Sequence, residues 1–144
     1  MRNYWKSHDF RTLDDGLIEV FIDHARHIPD PQTEIAFVQL GGAVSGVAHT
    51  ATAYTHRDAQ FVVNVHGRWA DPARDAACIG WARELFKAAT PFATGGVYVN
   101  FLTQEEQERV HAAYGENYAR LVALKNKYDP SNLFSVNQNI RPDV

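Results

Sequence analysis

The chain has 144 residues, a formal net charge of −3 and one cysteine. Its hydrophobic fraction of 45% and charged fraction of 22% suit a globular domain with a core, which excludes wholesale disorder. There is no basic block of the kind nucleic acid demands, and no run near the ~20 apolar residues of a membrane helix.

The N-terminal residues contain no apolar signal segment, so a cytoplasmic protein is expected. Residues 1–11 read as irregular, with Tyr4, Trp5 and Phe10 available for packing. Thr12 reads as a helix cap, with Asp14 and Asp15 favourable near the positive end of the helix. Leu13, Leu17, Val20, Phe21, His24 and Ile28 then recur at helical spacing, and Pro29 and Pro31 stop the helix.

Residues 33–40 alternate and are rich in branched side chains, which predicts a strand. Gly41 and Gly42 allow a bend, and residues 43–55 read as a looser extended stretch. Residues 60–68 predict a second strand. Asp71 and Pro72 then open a helix whose apolar stripe is Cys78, Trp81, Ala82, Leu85, Phe86 and Ala89. Cys78 reads as a core residue there. Residues 97–102 predict a third strand. Thr103 with Glu106 forms a capping box, Gly115 separates two helices, and Asp129-Pro130 ends the last one, over 116–127. The expected fold is a single α+β domain, an antiparallel sheet with helices packed on one face.

Period-two alternation divides each strand between two faces. Phe61, Val63, Val65, Val97 and Val99 form an apolar set that suits packing under helices. Asn64, His66, Tyr98 and Asn100 fall on the opposite side. One sheet face is often solvated, so that set needs no function. Yet Asn is unfavourable in strands, and amides beside Tyr and His suit a wall that meets a ligand. The seven His residues have no carboxylate or Cys partner at a convincing spacing, so no metal site is expected.

The C-terminal run from Tyr114 through Asp129-Pro130, Asn132-Leu133-Phe134 and Asn137-Gln138-Asn139 resembles the C-terminal signature of the berberine bridge enzyme-like family of FAD-linked oxidases. Gly41-Gly42, Tyr54-Thr55-His56-Arg57-Asp58, Asn64 to Trp69 and Gly95 to Asn100 occur in the order found in its bacterial members. The resemblance implies a substrate-domain portion over 1–112 and the family's tail over 113–142. It also implies FAD, held mainly by a flavin-binding domain or chain that these residues do not include.

By the same resemblance, Asn64 stands where relatives place Glu or Gln facing the substrate. Tyr98 and Asn100 match a Tyr-x-Asn motif near the flavin ring. Phe101 stands where relatives carry a catalytic Tyr or His, and a phenyl ring takes no proton. Tyr98 and His66 are then the acid/base candidates. Asn64, Tyr98, Asn100 and Phe101 are expected to meet a small-molecule substrate, and Asn100, Asn137 and Asn139 the cofactor side. His56-Arg57 reads as a turn with Arg57 paired to a carboxylate. Two readings stay open: the substrate side of a flavin oxidase, or a non-catalytic module that pairs with a second copy.

Overall fold

The computed structural model describes residues 1–136 and 138–143, without the side chains of Gln104 and Gln107. Three antiparallel strands form one sheet in the order β1-β3-β2: β1 Arg2–Phe10, β2 Glu34–Gln39 and β3 Phe61–Trp69. Two helices, α1 Asp15–Arg26 and α2 Asp75–Ala89, cover one face. The short helix α3 Val110–Tyr114 and the longer α4 Tyr118–Tyr128 follow.

Residues 2–10 are the first correction, for they form an edge strand instead of an irregular segment. Their polar residues hide the alternation. Lys6 and His8 point toward the helical layer, where only apolar groups are expected. Both side chains find partners there, although His8 Nδ1 is buried without a hydrogen bond among the described residues. His8 stacks on Phe86 with ring centroids 4.0 Å apart, and its Nε2 lies 3.1 Å from the Phe86 carbonyl. Lys6 Nζ sits 2.7 Å from Glu105 and 3.4 Å from Glu106.

The α1 cap is the second correction. Asp14, not Thr12, precedes the helix, and its carboxylate accepts the Leu17 N–H at 3.0 Å. Leu17 and Phe21 from α1 meet Trp81, Ala82, Leu85 and Ala89 from α2, over Phe10, Val63 and Val65 of the sheet. The α2 start follows the expectation: Asp71 accepts the Ala73 N–H at 2.9 Å, Pro72 opens a 3-10 turn, and the helix continues from it.

The third correction concerns residues 97–102. They form no strand; Val99–Phe101 make a 3-10 turn beside β1. Val97 and Leu102 bury themselves in a second cluster with Val110 and Ala113. That packing, five residues apart in sequence, replaces ladder pairing. Residues 43–53 are likewise a series of turns, not an extended stretch.

The Thr103–Glu106 pair behaves as a capping box in one direction. The Glu106 carboxylate accepts from the Thr103 N–H at 3.1 Å and from its hydroxyl at 2.9 Å. Gly115 breaks the chain between α3 and α4 at φ +47°, a region that favours glycine. Beyond α4, Asp129 accepts the backbone N–H groups of Leu133 at 2.7 Å and Phe134 at 3.0 Å, and so folds the tail into a tight turn.

Candidate active site

The sheet face opposite α1 and α2 is built by three strands in register. Trp5 lies across from His66, Ser7 from Asn64 and Asp9 from Val62. On the other side Glu34, Ala36 and Val38 lie across from His66, Asn64 and Val62. Opposed residues share a face, so a row of polar groups runs across the sheet.

Many of those groups are buried without a partner. Among the described residues, Trp5 Nε1, Ser7 Oγ, both Asp9 carboxylate oxygens and Asn64 Oδ1 have no hydrogen bond. Buried polar groups are nearly always paired, because desolvation without compensation costs about 1–3 kcal/mol each. A row of such orphans along one wall is therefore an unusual arrangement.

At the Val62 end the wall meets a cavity of about 400 Å³. Val38 and Val62 form its floor, and Tyr54, Arg57, Tyr98 and Phe101 stand around it. The rings meet edge to face: Tyr54 and Tyr98 at 6.1 Å between centroids, Tyr98 and Phe101 at 5.2 Å. The Arg57 guanidinium lies 4.9 Å from the Tyr54 centroid. It donates to the carbonyls of Tyr54 and Val44 and to Thr52 Oγ. The expected carboxylate partner of Arg57 is absent among the described residues. Arg57 instead fixes the loop that carries Tyr54. Its neighbour His56 is held by an Nε2 contact of 2.9 Å to the Ala112 carbonyl.

The structure gathers some of the expected residues and separates others. Tyr98 and Phe101 line the cavity. Asn100 is exposed and donates its amide to the Tyr98 hydroxyl at 2.7 Å. Asn64 lies in the wall, two residues from Val62. His66 stands four residues from Val62, roughly 13 Å along the strand, and outside the cavity. Its ring is placed against Trp5, Arg68 and Glu34. Burial and the Arg68 charge lower its pKa. Asn139 is half-buried with Oδ1 unpartnered among the described residues, and Asn137 lies outside them.

Two residues at the site escape the sequence reading. Tyr54 lies in a loop with no periodicity. Asp9 belongs to the strand read as irregular, where Trp5, Ser7 and Asp9 at i, i+2 and i+4 carry the only available signal. Asp9 is fully buried, and its carboxyl is pushed up to about 6, chiefly by that burial. Burial and the Asp9 charge push the Tyr54 phenol up to about 12.

Comparisons with known proteins agree on one family. A family profile described as "Berberine and berberine like" matches residues 97–141. YgaK of Bacillus subtilis, named an uncharacterized FAD-linked oxidoreductase, is 33% identical over 92% of this chain and 29% of its own length. A carbohydrate oxidase of Microdochium nivale is 30% identical over 96% of this chain and 31% of its own. Among solved structures, the glycopeptide hexose oxidase DBV29, complexed with teicoplanin, superposes with a TM-score of 0.85 at 26% identity. That match covers 97% of this chain and 32% of the oxidase. The chain thus spans about a third or less of the relatives it matches.

Proposed function

The chain belongs to the berberine bridge enzyme-like family of FAD-linked oxidases, and from that premise we propose that it supplies the substrate-side wall over a flavin. The observation that carries this reading is the row of buried, unpartnered polar atoms that ends at an aromatic cavity. A sugar unit fits the cavity: its ring faces would rest on Tyr54, Tyr98 and Phe101. The names of the carbohydrate and hexose oxidases support the same substrate class.

The cavity has room for a ring or a sugar unit and not for a whole dinucleotide, so FAD would be held mainly by a separate flavin-binding domain or chain. When bound, the flavin serves as hydride acceptor. On this chain Asn100 and Asn139 would face it. Asn100 would also orient the Tyr98 hydroxyl, leaving its proton free to point at substrate. The tail is the proposed dock, because Leu133, Phe134 and Val136 are 75–82% exposed, an unusual state for three neighbouring apolar residues.

A second reading, self-pairing without catalysis, is favoured by an open apolar groove of about 510 Å³ between α1 and β2. Ile18, Ile22 and Phe37 are exposed there.

Reconstitution separates the two. The chain is combined with an FAD-loaded flavin-binding domain of the family, and flavin bleaching is followed without oxygen as sugars are added. Bleaching that requires this chain supports the wall. A stable homodimer that neither binds the flavin domain nor promotes bleaching would favour the second reading.

A further inference from the structure

We infer that Asp9 is the buried proton acceptor of this site and takes up, through the Tyr54 hydroxyl, the proton released when a ligand's secondary alcohol is oxidised. The inference rests on the reading of this face as a substrate wall.

Three observations place Asp9 in that role. It lies directly across the ladder from Val62, which floors the cavity. Its side chain is fully buried, and neither carboxylate oxygen has a hydrogen-bond donor among the described residues. Only its backbone is tied down, with the carbonyl accepting the Thr94 N–H at 2.9 Å. A charged group held so expensively is best explained by use.

The surroundings are consistent with a group that accepts a proton near neutrality. His56 and Arg109 favour the carboxylate, Asp58 opposes it, and burial outweighs all three. The charge of Asp9 reaches Tyr54, which stands in the cavity wall. No hydrogen bond joins them among the described residues, so a ligand that reorients the phenol would complete the connection. Tyr54 alone makes a poor acceptor, since its phenol is pushed up to about 12. It can only pass a proton on. Phe101 cannot titrate, and His66 lies outside the cavity.

The chemistry balances. With a bound flavin to accept the hydride of the carbinol carbon, the hydroxyl proton would move to the Tyr54 oxygen while the Tyr54 proton would move to Asp9. The electron pair of the O–H bond becomes the second bond of the product carbonyl. Asp9 acts through Tyr54 and is a positioning and proton-accepting residue behind it.

The first test needs no flavin. In the chain itself, the Asp9 carboxyl carbon and the Tyr54 ring carbon bearing oxygen are followed by NMR against pH. Both are expected to shift with one midpoint near 6, and the Tyr54 step should vanish in Asp9→Asn. A Tyr54 signal that stays flat while Asp9 titrates overturns the inference, as does an Asp9 midpoint near 4. In the reconstituted enzyme, kcat/KM should rise through pH 6. Asp9→Asn should remove that rise and lower the plateau about 100-fold, with partial rescue by Asp9→Glu. An unaltered inflection in Asp9→Asn would equally overturn it. If the wild-type pair oxidises no sugar while both NMR signals titrate together, the substrate-wall reading fails and the Asp9–Tyr54 coupling stands.

Discussion

Asp9 and its neighbour His8 point to opposite faces of β1 and respond to pH in opposite senses. The Asp9 carboxyl is raised from 3.8 to about 6 in the fold. Its contribution is therefore fully present below pH 3.8 and is lost as pH rises through 6. His8 is lowered from 6.5 to about 4, chiefly by burial and further by Arg109 and Lys6. Its contribution is present above 6.5 and is lost as pH falls through 4. Each gap is worth roughly 3 kcal/mol, so the two slopes nearly cancel between pH 4 and 6.5. His66 is lowered as well and adds a slope of the same sign as His8, so wild-type stability should rise only gently with pH over that range. Asp9→Asn removes one slope and exposes the other: the variant should be the more stable at pH 8 and lose roughly 3 kcal/mol by pH 4, as urea melts at several pH values would reveal. A flat variant would contradict the assignment to His8. Neither slope is legible in the sequence, since burial on both faces of an edge strand is a property of what packs over it.

Elements governed by one dominant period are legible in the sequence. The α2 stripe, the capping pair at its start, and the apolar face of β3 were all expected. Leu85 is fully buried in that stripe, and Leu85→Ala should cost about 2–5 kcal/mol in chemical denaturation. Other elements are hidden because tertiary partners satisfy what periodicity forbids. Lys6 and His8 are tolerated toward the core because Glu105, Glu106 and Phe86 receive them. Val97 and Val99 alternate like a strand, yet among the described residues no strand pairs with them. The loop at Gly96 shows how tightly this part is set. A Cβ there would stand 2.6 Å from His56 Nδ1. Gly96→Ala should therefore displace the imidazole, break its contact with Ala112 and destabilise the chain by about 1–3 kcal/mol. A melting temperature equal to wild type would show that the ring gives way freely.

For the whole molecule, the exposed tail is the feature with the largest functional reach. Asp129 and Lys125 hold the turn that presents Leu133 and Phe134. Phe134→Ser with Leu133→Ser should leave the melting temperature within about a degree, because neither side chain is packed. The pair should weaken association with a flavin-binding domain at least tenfold, measured by titration calorimetry; unchanged affinity would place the dock elsewhere. None of the helices among the described residues is long and apolar enough to cross a membrane. Local chemistry is enough to place α1, α2, α4, β2 and β3, because each depends on a cap, a breaker or a repeat within a few residues. The tail turn is likewise local, because Asp129 sits four and five residues before the N–H groups it accepts. The site was decided in three dimensions. Asp9 and Tyr54 are 45 positions apart, and only β1–β3 pairing and the loop held by Arg57 place one beside Val62 in the wall and the other in the cavity that Val62 floors. A group's desolvation depends on everything packed around it, which no stretch of sequence contains.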